Sequence, residues 1–201
     1  MLADIKPVLI VIAGPNGAGK TSITSKILQH QWVEGCIYIN PDIIAQERFG
    51  DWNSQTAVKK AIEYSSDLRE KCLSDKVNFI FETVLSAEDK LDFLKKAKDE
   101  GYFIRLFFVG TNHPSINASR ITRRVMQGGH DVPISKIISR YSKSIANCAI
   151  VSKMIDRLYV YDNSVEFVEP LLLFRTMDGK LIKTYRNVDN WAKPILDYLN
   201  E

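Results

Sequence analysis

Five short apolar runs punctuate the chain: VLIVIA at 8–13, CIYIN at 36–40, FIFET at 79–83, FIRLFFV at 103–109 and RLYVYD at 157–162. They are rich in β-branched and aromatic residues and mostly unalternated, the pattern of strands buried on both faces of a parallel sheet. The segments between them carry helical periodicity. One spans 21–30. A second spans 56–76, with Val58, Ile62, Leu68 and Leu73 among its apolar positions. A third spans 87–100 and stops at Gly101, a residue suited to end a helix. This alternation predicts a doubly wound α/β fold, a five-stranded, mainly parallel sheet flanked by helices. Past residue 162 the pattern changes. VEPLLLFR and KLIKTYR flank TMDGK, whose Asp178-Gly179 pair favours a hairpin turn, and an amphipathic stretch at 188–199 closes the chain. Residues 165–201 are therefore read as a hairpin plus helix packed on the same core. With no repeat and no Pro-, Gly- or Ser-rich linker, residues 1–201 read as one domain.

Composition changes this picture little. The chain is 45% hydrophobic and 25% charged, enough for a sizeable core. Its net charge of +3 fits an anionic ligand but is too weak to argue for nucleic acid. Cys36, Cys72 and Cys148 lie far apart with no CxxC pair, as reduced thiols of a cytoplasmic protein do. Cys36 and Cys148 sit beside apolar residues, where a small buried hydrophobe is expected. The first apolar run is too short for a signal peptide, and none is long enough to span a membrane. A cytoplasmic location without a membrane partner is expected.

The first strand runs straight into GPNGAGKTSI. Gly14-x-x-x-x-Gly19-Lys20-Thr21 is the full phosphate-loop pattern, and strand before and helix after are the context it requires. Gly14, Gly17 and Gly19 allow the backbone to turn successive N–H groups onto a polyanion, with Pro15, Asn16, Ala18 and Ser22 completing the cradle. Lys20 reaches the outer phosphates, the Thr21 hydroxyl can ligate Mg²⁺, and the following helix points its positive end at the phosphates. ATP and Mg²⁺ are the expected ligands. The loop alone does not separate kinases from GTPases, transport ATPases or non-catalytic switches.

The next two strand ends narrow the choice. FIFET ends in Glu82-Thr83 rather than in a Walker-B aspartate, and the second strand continues YINPDIIAQE, placing Asp42 just past its carboxyl edge. In open α/β sheets the ligand crevice lies outside those edges. Asp42, Glu82 and Thr83 are therefore expected to face the phosphate loop. One carboxylate can take a proton from an attacking hydroxyl; the other can hold the acceptor, or a water on Mg²⁺. The structural alternatives are a helix cap for Asp42 and a core-edge ion pair for Glu82. Farther on, SRITRRVMQGGHDVPISKIISRY puts Arg120, Arg123 and Arg124 on one predicted helix and Arg140 on the next, with a break at Gly-Gly and a restart near Pro133. A helix–loop–helix of this kind, over 112–150, describes a kinase lid whose guanidinium groups neutralise the transferring phosphoryl as closure excludes water. The alternative is a solvated basic face or an RNA-binding patch. His130 reads as a loop hydrogen-bonding or catalytic residue, with no metal-ligand cluster around it.

Taken together, GPNGAGKT, NPDIIA, FETVLS, RVMQGGHDVP after the paired arginines, and YVYDNS resemble the zeta toxin family of P-loop kinases, in order, over residues 8–164. The resemblance implies ATP-dependent phosphorylation of the sugar 3′-hydroxyl of UDP-N-acetylglucosamine, restrained by a small antitoxin. It implies Lys20 and Thr21 as phosphate and Mg²⁺ ligands, Asp42 as the base, and Glu82 and Thr83 as acceptor ligands. Arg120, Arg123, Arg124 and Arg140 would grip phosphates or acceptor, and Tyr161, Asp162, Asn163 and Ser164 would border the adenine. The chain departs from the longer members of that family in its short tail, and NPD lacks the aromatic residue that often follows the base. A polyol, another nucleotide sugar or an antibiotic is the nearest rival acceptor. Two further classes, a nucleic-acid end kinase or RNA-binding ATPase and a non-enzymatic nucleotide switch, fit the modest charge and the retained base and lid arginines less well.

Overall fold

Strands with no polar face have to be covered on both sides, and the fold does this. In the computed structural model, which describes residues 6–50, 54–129, 131–188 and 190–201, β1 (Val8–Ala13), β2 (Ile37–Ile39), β3 (Phe79–Thr83), β4 (Phe103–Gly110) and β5 (Arg157–Asp162) stand side by side. All five are parallel, in the order β2-β3-β1-β4-β5. Alternate residues serve opposite faces. Leu9, Val11, Phe79, Phe81, Leu106 and Phe108 join the larger core, whereas Ile10, Ile12, Ile80, Phe107 and Val109 join a smaller one.

The sheet does not end at five strands. β6 (Leu171–Met177) and β7 (Lys180–Thr184) continue it antiparallel beyond β5, making seven. The five-strand expectation is corrected accordingly: the hairpin extends the sheet instead of resting on it. Leu158 and Val160 of β5 are fully buried, and so is Phe174 of β6; an open edge at β5 would leave its backbone groups unpaired. At the hairpin tip Asp178 (φ 49°) and Gly179 (φ 71°) both take left-handed backbone, as a two-residue type I′ turn requires.

The helices are α1 (Lys20–Ile27), α2 (Pro41–Phe49), α3 (Gln55–Ser74), α4 (Glu88–Asp99), α5 (Pro114–Met126), α6 (Ile134–Ser152) and α7 (Lys193–Asn200). α1 supplies Ile23 and Ile27 to the smaller core, and α3, α4, α6 and α7 contribute to the larger one. Three boundaries differ from the sequence reading. α1 stops at Ile27, and a 3-10 turn at Gln31–Val33 follows. α7 starts at Lys193, because Trp191 and Ala192 sit in a preceding turn. α2 has no counterpart in the periodicity, since only Ala45 of it is buried. Its ends define it instead: Asn40 caps it, Pro41 takes the first turn, and Gly50 (φ 77°) stops it. Cys72 and Cys148 are buried as small hydrophobes, but Cys36 is only half-buried, against expectation; all three are free thiols. Among the described residues no helix is long and apolar enough to cross a membrane. His130 lies outside the described residues.

Trp191 ties the tail to the carboxyl edge of the sheet. The Trp191 ring lies against Phe108, with centroids 6.2 Å apart, and so close to Gly110 that a Cβ there would come within 2.2 Å of it. Its indole N–H donates to Asp162 Oδ2 at 2.7 Å. Trp191→Phe keeps most of the ring but leaves a buried carboxylate oxygen short of a donor. It is expected to lower the unfolding free energy by about 1–3 kcal/mol, seen as a lower urea midpoint at unchanged slope.

Candidate active site

The phosphate loop is held from outside as well as by its own glycines. Gly17 (φ 76°) and Gly19 (φ 87°) take left-handed backbone. A Cβ on Gly17 would lie 2.5 Å from the Asn117 carbonyl oxygen, and one on Gly19 would lie 2.1 Å from Asn163 Nδ2. Those same neighbours fasten the loop. Buried Asn117 of α5 donates from Nδ2 to the Asn16 carbonyl at 2.7 Å and accepts from the Thr111 hydroxyl. Asn163, just past β5, donates from Nδ2 to the Ala18 carbonyl at 2.7 Å, while its own N–H donates to Gly110 O at 2.8 Å. Lys20 Nζ folds back onto the loop, donating to Gly14 O at 3.0 Å and Pro15 O at 3.3 Å. Thr21 and Ser22, opening α1, are exposed.

The site's charges are felt together at Lys20. Burial lowers its pKa from the ordinary lysine range. Glu82 and then Asp42 pull it back up, and Arg124 and Arg140 push it down. Both predicted carboxylates and two predicted arginines thus act on the phosphate-loop lysine. Asp42 is exposed in the first turn of α2. The capping role belongs to Asn40, whose side chain accepts the Asp42 N–H at 2.9 Å; the Asp42 carboxylate is not the cap. Glu82 is no ion-paired core-edge residue either. Its Oε1 accepts from Thr24 Oγ1 at 2.7 Å and from the Tyr38 hydroxyl at 2.6 Å.

Two helices deliver the arginines. Arg140 of α6 donates from Nη1 to Asn16 Oδ1 at 3.3 Å, so it already touches the phosphate loop. Arg120 of α5 approaches Glu166 with Nε at 3.8 Å, its side chain 17% exposed. Its buried Nη1 has no hydrogen-bond partner among the described residues and lies 4.0 Å from where a Cβ on Gly19 would be. A buried guanidinium N–H without an acceptor is costly, and this one points at the loop. Arg123 stands apart: it clamps Glu166 through Nη1 at 3.1 and 3.2 Å and Nη2 at 3.2 Å.

Two other predicted ligands are placed in structural roles. The Thr83 hydroxyl accepts the Leu85 N–H at 3.1 Å, stabilising a turn in which Leu85 holds φ 57°. Asn147 and Ser144 of α6 donate to the Leu85 and Val84 carbonyls at 3.0 and 2.6 Å. The Asp162 carboxylate accepts from Ser164 N–H at 2.9 Å, Ser164 Oγ at 2.7 Å and Trp191, so it shapes the loop that carries Asn163. Sequence reasoning missed Thr24, Tyr38, Asn40, Asn117 and Glu166. Asn40 left a signal as a favoured cap residue directly before a proline, and Asn117 as a polar residue inside a helix, where its type is disfavoured.

These residues fit a nucleotide triphosphate with its cation. The glycine cradle and the orphaned Arg120 Nη1 call for an anion. Among the described residues no group of three His, Cys, Asp or Glu side chains could hold a metal by itself. Mg²⁺ beside phosphates needs only one or two protein ligands, and Thr21 with Asp42 or Glu82 suffices.

Parallel-sheet order, phosphate loop, acidic strand ends and arginine-bearing helix pair together define a P-loop kinase. The sequence profile described as Zeta toxin matches residues 1–168, and the chain belongs to the zeta toxin family. It is 30% identical over 132 residues, 66% of its length and 91% of the other's, to an uncharacterised protein of Haemophilus influenzae. Among solved structures, a chain of the PezAT chromosomal toxin–antitoxin system of Streptococcus pneumoniae superposes with a TM-score of 0.63 at 16% identity, covering 98% of this chain and 85% of that one. A chain of the AvrRxo1-ORF1:-ORF2 complex with ATP superposes with a TM-score of 0.70 at 15% identity, covering 96% of this chain and 63% of the other.

Lys20 yields a pH prediction. Its charged form is disfavoured by burial, so below its lowered pKa it opposes folding, and that penalty fades as pH rises through it. Bound phosphates reverse the balance. At alkaline pH, nucleotide binding is expected to take up protons and to weaken as pH rises. Calorimetry of ATP binding in two buffers of different ionisation enthalpy measures the uptake, and Lys20→Met is expected to abolish it.

Proposed function

We propose that this protein is an ATP- and Mg²⁺-dependent kinase that phosphorylates a hydroxyl of a small molecule, with UDP-N-acetylglucosamine as the acceptor its family membership favours. The observation that carries the reading is that two unlike sets of groups flank the phosphate loop and the helix it opens: Arg140 donates to Asn16, and Glu82 accepts from Thr24 of α1. Asp42 and Glu82 approach from strand ends β2 and β3, and Arg124 and Arg140 from the helix pair. A phosphate-binding module alone uses carboxylates at most for its cation. A transferase uses them for the second substrate as well.

In this reading Asp42, the exposed member of the pair, takes the proton of the acceptor hydroxyl as its oxygen attacks the γ-phosphorus. Glu82 holds the acceptor. Thr83, its hydroxyl already turned to Leu85, contributes by shaping the β3 end. Lys20, Arg120, Arg124 and Arg140 neutralise charge on the transferring group, and approach of α5 and α6 keeps water out. Thr21 would hold the cation, which supplies further charge neutralisation at the phosphates. Arg123 keeps Glu166, and through it the loop after β5, beside α5. Asn163 positions the phosphate loop at the nucleotide's edge. The ATP in the AvrRxo1-ORF1:-ORF2 complex supports ATP as donor, and the PezAT system supports a small antitoxin as partner. The whole chain, 1–201, acts as one unit on cytoplasmic substrates.

Incubation with ATP, Mg²⁺ and a nucleotide-sugar panel is expected to yield UDP-N-acetylglucosamine heavier by one phosphoryl group by mass spectrometry. Transfer only to another hydroxyl would keep the kinase and replace the acceptor. Asp42→Asn is expected to slow transfer about 10²- to 10⁴-fold with ATP affinity unchanged; transfer at the wild-type rate would overturn the mechanism.

A further inference from the structure

Asp42 lies in the first turn of α2 and Glu82 lies on β3, yet one chain of hydrogen bonds joins them. Ile39, the last residue of β2, pairs with Phe81, so Asn40 leaves the strand level with Glu82. Asn40 is engaged at both ends of its amide. Oδ1 accepts the Asp42 N–H at 2.9 Å, and Nδ2 donates to the Tyr38 hydroxyl at 3.0 Å. The cap fixes which way the amide faces, because only its oxygen can accept the helix N–H. With its oxygen lone pair receiving Asn40, Tyr38 directs its proton to Glu82 Oε1 at 2.6 Å. Thr24 adds a second donor to the same oxygen at 2.7 Å, closer than its alternative acceptor, Lys20 O, at 3.1 Å. Among the described residues, both side-chain donors to Glu82 thus fall on Oε1.

We propose that Tyr38 and Asn40 are positioning residues that lock Glu82 and Asp42 into one acidic unit, fixing where the acceptor is held relative to the group that takes its proton. The proposal rests on the kinase reading above. Two consequences of the geometry support it. Glu82 is fixed through one oxygen, which leaves Oε2 as its acceptor-facing atom. The start of α2 and the end of β3 are coupled by side chains alone, because β2 ends at Ile39 and carries no ladder as far as Asp42.

The chain predicts an effect that capping alone does not. Asn40→Asp keeps a good helix cap but replaces the donor to Tyr38 with an acceptor oxygen. Tyr38→Phe keeps the ring and removes the hydroxyl. Each variant is expected to raise the KM for UDP-N-acetylglucosamine about tenfold, the weight of one buried charge-assisted hydrogen bond. The ATP dissociation constant should stay within twofold of wild type. The double variant should be little worse than either single one, because both cut the same chain. Where UDP-N-acetylglucosamine is not phosphorylated, phosphate release from ATP with water as acceptor provides the rates, read as kcat. Crystal structures of the two variants give a readout that needs no turnover: the Glu82 carboxylate should leave its place beside Thr24 in both. An Asn40→Asp enzyme with wild-type kinetics, additive losses in the double variant, or an unmoved Glu82 in both variants would overturn the proposal. Asp42→Asn measured alongside separates the two ideas. If it transfers at the wild-type rate, the kinase mechanism itself fails; if it is inactive while Tyr38→Phe and Asn40→Asp behave as wild type, only the positioning role does.

Discussion

Two side-chain amides hold the phosphate loop in shape, and much of the molecule is arranged to supply them. Asn117 reaches the Asn16 carbonyl from α5, and Asn163 reaches the Ala18 carbonyl from the end of β5. A loop that turns its N–H groups inward leaves carbonyls pointing out, and outward carbonyls in a packed setting need donors. Satisfying them from α5 and from the β5 end means that the first of the arginine-bearing helices and the segment after β5 are placed by the same bonds that shape the phosphate loop. Arg120 follows from this: it lies on the helix that Asn117 ties down, and its Nη1, without a hydrogen-bond partner among the described residues, faces the loop.

The opposite wall is acidic, with two carboxylates whose charges both act on Lys20. Glu82 receives two hydroxyl donors, whereas Asp42 stands exposed at the start of a helix. The two acids therefore differ in environment, and difference of environment is how paired carboxylates come to do different work. Hydroxyl donors steady Glu82 without neutralising it, as an ion pair would. Its charge remains available to Lys20, which feels it more strongly than any other charge.

Much of this was legible in the sequence. Unalternated apolar runs gave the parallel strands and their carboxyl edges, and the edges gave Asp42 and Glu82. The glycine pattern gave the loop, and the run from Arg120 to Arg140 gave the helix pair. What stayed hidden did so for physical reasons. α2 has too little buried surface for a period to show and exists through its end signals at Asn40, Pro41 and Gly50. Tyr38 looks like any aromatic strand residue until the fold brings its hydroxyl to Glu82 Oε1, two residues beyond its strand partner Ile80. That β6 and β7 extend the sheet could not be read from the hairpin itself, because the deciding fact is the bare edge of β5. Thr83 and Asp162 fell at the right strand ends, but spacing does not tell a side chain facing a ligand from one folded back on its own turn.

The indole of Trp191 gives the tail a reach beyond its own packing. Trp191 holds Asp162, Asp162 holds Ser164, and Ser164 accepts the Asn112 N–H at 2.8 Å. Between them sits Asn163, gripping the phosphate loop. The tail lies past the 1–168 stretch that the family profile matches, yet it is mechanically in series with the phosphate loop. A substitution at Trp191 therefore acts on that loop from a distance, through Asp162 and Asn163, without touching it.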